Sequence, residues 1–248
     1  MAGEAVRSVH LIVGAGGGVG SEVARRLAYA GAAVVLSGRD PAKLERVAAA
    51  THGLVHAADA SVPAQVDELF AMIASRFGRL DGIAHCAGSL LLKPAHATTD
   101  ADWEKTISAN LTSAFYVLRG GVRAMSGTGG SIVFVSSAAA RVGMANHEAI
   151  AAAKAGIIGL TLSAAATYAN RGIRVNCIAP GLVETPLTER ITGSSASRQA
   201  SEAMHPMGRL GAAEDIARAI EWFLAKEQSW VTGQVLGVDG GLGSVRAR

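Results

Sequence analysis

The sequence predicts an α/β protein built on a doubly wound parallel sheet of about seven strands, with helices on both faces. Short β-rich runs alternate along the chain with segments of helical pattern, and no linker-like or low-complexity segment interrupts them. Strands that alternate with helices in this way pack as a parallel sheet covered on both faces. The 248 residues, half of them hydrophobic, suffice for one substantial core. We therefore predict a single domain over residues 1–248.

The predicted strands are seven short apolar runs. The first is Val9–Val13, which leads directly into a run of glycines. The other six lie within residues 32–38, 53–59, 80–88, 130–137, 172–181 and 233–241. Their apolar character fits strands that are buried on both faces of a parallel sheet.

The predicted helices fill the intervals between these strands. Pro41 and a proline at position 63 each open a helix, because proline fits the first helical turn. Asn146 is predicted to cap the longest helix, and the alanines that follow it propagate a helix well. The six predicted helices cover residues 21–31, from 41, from about 63, 100–125, about 147–170 and 213–224.

One stretch follows neither pattern. Residues 185–210 are rich in serine, threonine and charged residues, and we predict that they form an irregular lid over the substrate.

Composition excludes several classes of function. The net charge is only +3 and the basic residues are dispersed, which does not indicate a nucleic-acid partner. Cys86 and Cys177 lie far apart without Cys/His metal spacing, so we expect free thiols and no metal site. The chain opens without a long apolar signal region, and we expect no run near the ~18 residues that span a bilayer. These features predict a cytoplasmic protein that does not bind membranes.

A glycine-rich loop follows the first strand and opens the first helix. Residues 14–20 read GAGGGVG, and a side chain at Gly14, Gly18 or Gly20 would obstruct a tight turn, the approach of a phosphate, or helix–strand packing. The amides and dipole at a helix N-terminus favour a phosphate there. Glycines also serve ordinary turns, but the position between a strand and a helix predicts a Rossmann-type dinucleotide site, with Gly17 and Val19 in the same loop.

The end of the second strand indicates which nucleotide binds. A carboxylate there would favour NAD, because it bonds the ribose 2′-OH and repels a 2′-phosphate. Here the strand ends with Gly38 and Arg39, and a guanidinium suits a 2′-phosphate. Asp40 precedes Pro41 and is better placed to cap the next helix. We therefore predict NADP(H), with an ordinary surface arginine as the alternative interpretation of Arg39.

With these features, the chain resembles the short-chain dehydrogenase/reductase family over nearly its whole length. The glycine loop has the GxxxGxG spacing, HCAG at residues 85–88 is similar to the family's NNAG, and APGLVET at residues 179–185 is similar to its PG motif. The closing TGQVLGVDGG also matches. The resemblance implies a homotetramer and further cofactor contacts at Asp59, Ala60, Cys86, Ala87, Gly88, Lys154, Pro180, Gly181, Val183 and Thr185.

The resemblance also implies an active-site tetrad, of which one part is missing. Asn110 falls on the tetrad asparagine and Ser137 on the serine, but the tyrosine thirteen residues after the serine is replaced by Ile150. Lys154 follows at the YxxxK spacing. In the family the tyrosine transfers a proton, the lysine lowers the tyrosine pKa and holds the ribose, the serine orients the substrate, and the asparagine holds a water. An alkyl side chain transfers no proton, and such a loss costs about 10²–10⁴-fold in rate.

His147 is the candidate that could replace the tyrosine. It lies three residues before Ile150 and seven before Lys154, so all three share a face if the helix includes His147. The alternative is a partly exposed histidine in the first turn. Glu148 points away from that face, and none of the three tyrosines is well placed.

Two functions follow from this pattern. The first is an NADP(H)-dependent oxidoreductase with an atypical active site, which reduces a carbonyl or related unsaturated small molecule. The second is a non-catalytic NADP(H)-binding sensor or scaffold protein.

Overall fold

The computed structural model describes residues 7–245, and its strands form one parallel sheet. The sheet has seven strands, as the alternating pattern predicts, and their order is β3-β2-β1-β4-β5-β6-β7. The strands are β1 (Val9–Val13), β2 (Ala33–Gly38), β3 (Leu54–Ala57), β4 (Gly82–His85), β5 (Gly130–Val135), β6 (Ile173–Pro180) and β7 (Val235–Val238).

Helices lie between the strands and cover both faces of the sheet. Pro41 opens its helix as predicted, and the Asp40 carboxylate caps it by accepting a 3.1 Å hydrogen bond from the Lys43 amide. The helices are α1 (Gly18–Tyr29), α2 (Pro41–Thr51), α3 (Pro63–Phe77), α4 (Asp100–Ile107), α5 (Ser113–Ala124), α6 (Glu148–Tyr168), α7 (Glu189–Thr192), α8 (Ser195–Met204) and α9 (Ala213–Leu224).

Each face of the sheet has its own core. In β1, Leu11 faces the core that includes α3, α5 and α6, whereas Ile12 faces the core that includes α1 and α9. This alternation follows from the two-residue period of a strand. Both side chains are completely buried. The double burial explains why the strand runs are apolar throughout rather than alternating.

The helix predicted over residues 100–125 is interrupted. A π turn, Ser108–Thr112, separates α4 from α5. Within it, the Asn110 side chain donates to the Thr106 carbonyl at 2.9 Å, and the Ser113 hydroxyl donates to the Ala109 carbonyl at 2.9 Å. Side chains that bond the backbone compete with the regular ladder, and π turns are frequent at functional sites.

The start of α6 differs from the prediction. The first helical residue is Glu148 and the N-cap position is His147, which makes no side-chain cap hydrogen bond. Asn146, the predicted cap, instead adopts a left-handed conformation with φ 63°, which asparagine tolerates better than most residues. Its carbonyl accepts a 2.8 Å hydrogen bond from the Lys93 amide. Lys93 lies in the loop after β4, so that distant loop fixes this turn.

The expectation that no apolar run approaches the length of a membrane span is wrong for α6. The segment Glu148–Arg171 has a hydropathy of 1.6 over its most apolar window and is long enough to cross a bilayer. However, α6 packs against β6 and buries Ile157, Ala164 and Ala165 in the core. Packing against the sheet therefore accounts for the apolar residues on one side of α6, and 39% of that window is buried.

The stretch predicted to be irregular contains two helices. Within residues 185–210 the chain forms α7 and α8. The Ser194 hydroxyl caps α8 by accepting from the Ser197 amide at 3.1 Å, and Arg198 pairs with Glu202 one turn later at 2.9 Å. The serines and charges that indicated irregular structure thus serve as helix caps and ion pairs.

Candidate active site

The predicted site residues lie along one edge of the sheet. The loops after β1, β2, β3, β4 and β6 carry nearly all of them, and these loops leave the carboxyl ends of parallel strands. The strand order reverses between β1 and β4, and the crevice at such a reversal is where open α/β sheets bind ligands.

The glycine loop is held tightly against the neighbouring strands. The Gly14 amide donates to the Ser37 carbonyl at 2.8 Å, and Gly14 has a φ of +84°, which disfavours any other residue. A Cβ on Gly14 would lie 2.6 Å from the Ala87 nitrogen, and one on Gly20 would lie 2.3 Å from the Gly14 oxygen. Two of the predicted steric requirements are therefore present as backbone contacts.

The N-terminus of α1 is open to an anionic group. Gly17 is the N-cap residue and makes no side-chain cap hydrogen bond. The first helical hydrogen bond runs from the Ser21 amide to the Gly17 carbonyl, so the amides of residues 18–20 precede the first helical acceptor. This N-terminus, without a capping side chain, fits a phosphate.

Arg39 and Asp59 stand near each other at the ends of β2 and β3. Arg39 is exposed, and Gly38 next to it accepts a 3.0 Å hydrogen bond from the Ala58 amide. Partial burial opposes ionisation of Asp59, but hydrogen bonds from Ser61 and the charge of Arg39 outweigh it and lower the pKa of this carboxyl. The site therefore presents one cation and one carboxylate to a ligand.

Lys154 and Asn110 meet at the loop after β4. A Cβ on Gly88 would lie 2.6 Å from Asn110 Oδ1 and 3.4 Å from Lys154 Nζ. The Lys154 ammonium donates to the Val135 carbonyl at 2.9 Å, and its backbone carbonyl accepts from the Ser136 hydroxyl at 2.8 Å. These bonds fix Lys154 against the end of β5.

Ser89 is a site residue that the sequence interpretation missed. Its hydroxyl accepts from Asn110 Nδ2 at 2.9 Å, and its amide donates to Asn110 Oδ1 at 3.2 Å. Ser136 was missed in the same way. Each stands directly beside a predicted residue, Gly88 or Ser137, and this adjacency was the only available signal in the sequence.

Burial sets the protonation of the groups around Lys154. It lowers the pKa of Lys154 to about 8, although the nearby thiols of Cys177 and Cys86 oppose this shift. It raises the pKa of Cys86 to about 12 and that of Cys177 to about 11. Burial also lowers the pKa of His85 to about 3, with a further contribution from the Lys154 charge. The thiols and the imidazole are therefore neutral near pH 7.

Ser137 lies at the end of β5 with part of its hydrogen-bonding capacity free. Its hydroxyl oxygen accepts from the Ala139 amide at 3.1 Å and caps the short helix Ala138–Ala140. A serine hydroxyl that accepts in this way still has its proton to donate. Ser137 is half-buried, so it can reach a ligand in the crevice.

The structure does not bring His147 into the helix with Ile150 and Lys154. Its Nδ1 lies 2.7 Å from the Ala145 carbonyl oxygen. Because a carbonyl only accepts, Nδ1 carries the proton, and the Nε2 of a neutral ring is then an acceptor. Ile150 is buried at 3% exposure on α6, one turn before Lys154. The helix thus begins after His147, so the condition for a shared face with Lys154 is not met, and the partly exposed histidine of the alternative interpretation fits the structure better.

The loop after β6 closes the site from the other side. It follows Pro180, the last residue of β6, and carries Gly181, Val183 and Thr185. A Cβ on Gly18 would lie 2.8 Å from the Thr185 methyl carbon. Thr185 therefore packs directly on the N-terminus of α1. Over residues 7–245, no three His, Cys, Asp or Glu side chains are grouped as a metal site would require.

Known proteins are similar to this chain in sequence and in fold. The protein-family profile described as enoyl-(acyl carrier protein) reductase matches residues 14–243. A short-chain type dehydrogenase/reductase from Mycobacterium ulcerans superposes with a TM-score of 0.91 at 32% identity, over 97% of this chain and 91% of that one. The chain belongs to the short-chain dehydrogenase/reductase family.

Relatives within the short-chain dehydrogenase/reductase family are oxidoreductases by name. The chain is 39% identical to cis-4-hydroxycyclohexanecarboxylate dehydrogenase of Sinomonas cyclohexanicum, over 96% of this chain and 97% of that protein. It is 35% identical to a 3-oxoacyl-acyl-carrier-protein reductase of Thermotoga maritima, over 94% and 97%. Membership confirms the Rossmann-type fold inferred from the sequence motifs.

Proposed function

We propose that this protein is an NADP(H)-dependent oxidoreductase with an atypical active site, which reduces a carbonyl or related unsaturated small molecule. The observation that carries the proposal is the buried Lys154, held beside Asn110 at the sheet edge that also bears the glycine loop. Burying a lysine at 8% exposure in an apolar helix costs free energy unless its ammonium group has a partner. The related dehydrogenases and reductases support the reaction class.

The chain's own residues fit a dinucleotide. The uncapped N-terminus of α1 suits the pyrophosphate, and Arg39 suits a 2′-phosphate. Asp59 is assigned to the adenine, Lys154 to the ribose, and Thr185 to the nicotinamide amide. We assign the other predicted contacts to the walls of the cofactor site: Gly14, Gly17, Gly18, Val19, Gly20, Ala60, Cys86, Ala87, Gly88, Pro180, Gly181 and Val183.

The remaining groups orient the substrate and handle the proton. NADPH, when bound, supplies the hydride. Ser137 donates a hydrogen bond to the substrate oxygen, and Asn110 holds a water beside Lys154. Ile150 donates no proton, and the Nδ1 of His147 is bonded to the Ala145 carbonyl, so we assign the proton to water. A substrate that needs no strong acid, such as an iminium or an activated double bond, tolerates this arrangement best.

A direct assay tests the proposal. Purified protein is mixed with NADPH and a panel of ketones, quinones and imines, and the loss of NADPH absorbance is followed. We expect turnover of at least one imine or activated alkene, with ketones slower. His147→Ala should leave that rate unchanged, and a large loss would restore His147 as the donor.

The burial of Ile150 favours a second candidate function. A protein that kept the cofactor site and lost the chemistry would be a non-catalytic NADP(H)-binding sensor or scaffold. It predicts that NADPH raises the melting temperature, because any ligand of the folded state does so. It also predicts no turnover with any substrate of the panel.

The substitution Ile150→Tyr separates the two candidates. If Ser137, Asn110 and Lys154 are preorganised, the new hydroxyl should raise ketone reduction by about 10²-fold or more. A variant that binds NADPH and stays inactive would favour the sensor or scaffold. Ile150→Phe is the matched control, since it adds the aromatic ring without the hydroxyl group.

The sequence carries two further proposals and the family resemblance carries a third. We propose that residues 185–210 cover the substrate, that the protein assembles as a homotetramer, and that it is cytoplasmic. Trp103 on α4 and Phe115 on α5 are 45% and 47% exposed, which fits an interface on these helices. Light scattering on the purified protein measures the assembly, and a monomer at micromolar concentration would contradict it.

A further inference from the structure

His205 is a buried histidine for which the proposed reaction has no role. It follows the last residue of α8 and is 4% exposed. Its neighbours belong to three segments: α8 itself, the loop after β6, and the loop after β7. The loop after β7 approaches it through Gly240, on which a Cβ would lie 3.6 Å from the His205 Cβ.

Both ring nitrogens of His205 are bonded to the backbone. Nε2 lies 3.1 Å from the Leu182 nitrogen, and Nδ1 lies 2.7 Å from the Ser201 carbonyl oxygen. A backbone amide can only donate and a carbonyl can only accept. Nε2 must therefore be the acceptor and Nδ1 the donor, so the two partners select one neutral tautomer.

The Leu182 end of this bridge leads directly to the glycine loop. Leu182 lies between Gly181 and Val183, and Val183 forms an isolated bridge with Gly211. Two residues further, Thr185 packs against Gly18 at the N-terminus of α1. A shift of the Leu182 amide would therefore move a segment that touches the proposed pyrophosphate site.

Gly181 shows how closely this bridge is built. A Cβ on Gly181 would lie 2.6 Å from His205 Nε2 and 3.1 Å from the Asp239 Cα. Only glycine lets the imidazole reach the Leu182 amide without displacement, since real Cβ atoms do not approach so closely.

We propose that His205 is a positioning residue that couples α8 of the proposed lid to the cofactor-facing loop at residues 181–185. The ring transmits the position of α8 through Leu182 to Thr185. The lid and the wall of the cofactor site therefore move together. The part of this proposal that concerns cofactor binding rests on the proposed function, whereas the bridge itself does not.

A second contact between α8 and this loop is weaker. Arg198 on α8 forms a bidentate ion pair with Glu184, one bond being 3.0 Å. Both side chains are about two-fifths exposed, and exposed ion pairs contribute little because water screens them. Glu184→Gln is therefore a matched control that leaves the buried bridge intact.

Two near-isosteric variants separate the two bonds of His205. His205→Asn keeps a donor near the Nδ1 position and loses the acceptor for Leu182. His205→Gln keeps an acceptor near the Nε2 position and loses the donor to Ser201. The measurements are hydrogen exchange of the Leu182 amide in the protein without nucleotide, and the NADPH dissociation constant from fluorescence.

We expect the Leu182 amide to exchange at least tenfold faster in His205→Asn, with NADPH binding weakened about tenfold, the effect of losing one buried hydrogen bond. His205→Gln should rescue both values to within about threefold of the unaltered chain, and Glu184→Gln should match the unaltered chain. A different result would overturn the proposal: if both variants lost Leu182 protection and NADPH affinity equally, and in proportion to the fall in melting temperature, the role of His205 would be merely structural.

The remaining outcomes are also decisive. If NADPH does not bind the unaltered chain, the proposed function fails, and the Leu182 exchange rates still test the bridge. Unchanged Leu182 exchange in His205→Asn would overturn the bridge itself. If the His205 variants do not fold, Gly181→Ala replaces them, because its methyl group displaces the imidazole without altering it. Protected Leu182 exchange in that variant would again contradict the proposal.

Discussion

At the scale of single residues, Arg39 and Asp40 have separate tasks although they are neighbours. The Asp40 carboxylate accepts a hydrogen bond from the Lys43 amide and caps the start of α2. Arg39 remains exposed, and its charge acts on Asp59. Under the proposed function, this exposed guanidinium is the group that would bind a 2′-phosphate.

Cofactor preference tests this assignment. Arg39→Asp should weaken NADPH binding by about 10–100-fold and leave NADH binding within a few-fold, because a bidentate bond is replaced by repulsion. The dissociation constants of both nucleotides are measured by fluorescence. Arg46→Asp, at an exposed position on the α2 helix that follows Arg39, is the charge-matched control. An Arg39→Asp variant that still prefers NADPH would show that another group sets the specificity.

At the scale of the element, the two helices that bear the site use glycine for opposite reasons. Gly20 lies in the first turn of α1, where a Cβ would collide with the Gly14 carbonyl at 2.3 Å. Gly159 lies in the exposed middle of α6, where a Cβ would meet nothing within 4 Å. Close packing requires Gly20, whereas Gly159 affects only the helix propensity of α6.

Alanine substitutions should therefore have opposite effects on stability. Gly159→Ala should raise the free energy of unfolding by about 0.5–1 kcal/mol, because alanine loses less backbone entropy in a helix. Gly20→Ala should lower it by about 1–3 kcal/mol through overpacking and should abolish nucleotide binding. Denaturant titration and NADPH titration measure these effects. Destabilisation by Gly159→Ala would show that α6 is covered at that point.

At the scale of the whole molecule, buried histidines make stability depend on pH. Burial lowers the pKa of His10 to about 4, with Asp81 opposing the shift and Lys226 reinforcing it. The unfolded chain has the ordinary value near 6.5, so between pH 6.5 and 4 it binds a proton that the folded chain does not. The stability contribution is thus complete above pH 6.5 and is lost as the pH falls.

Denaturant titrations at pH 7.5 and pH 5 measure this loss. His10 alone should account for about 2 kcal/mol of it, and His85, with a pKa near 3, should add a similar share. His10→Gln should reduce the pH-dependent loss by about 2 kcal/mol. His52→Gln, on the surface at the end of α2, should retain the full loss. An unchanged loss in His10→Gln would mean that the His10 ring takes up its proton inside the fold.

The sheet was predictable because it follows from local patterns. The order of strands and helices, the cap by Asp40 and the tight glycine loop all depend on residues close in sequence. The start of α6 was not predictable, because the Lys93 amide fixes Asn146 from a distant loop. The α8 helix was missed because serine and charged residues suit both loops and helix caps.

The same reasoning explains which site residues were missed. Ser89 is positioned by Asn110, which is 21 residues away in sequence, and His205 by Leu182, which is 23 residues away. No periodic pattern records pairings over such distances. The roles proposed for Ile150 and Ser137 rest on their spacing from Lys154 in the sequence.

The π turn at Ser108–Thr112 also changes the rotational phase of the helix around it. Twelve residues separate Trp103 from Phe115, and a regular helix would turn them roughly 120° apart. The extra residue of a π turn takes back roughly 100°, so both aromatic side chains come to nearly the same side. We therefore expect the bulge that contains Asn110 to bring these two half-exposed aromatic rings to one side of the helix.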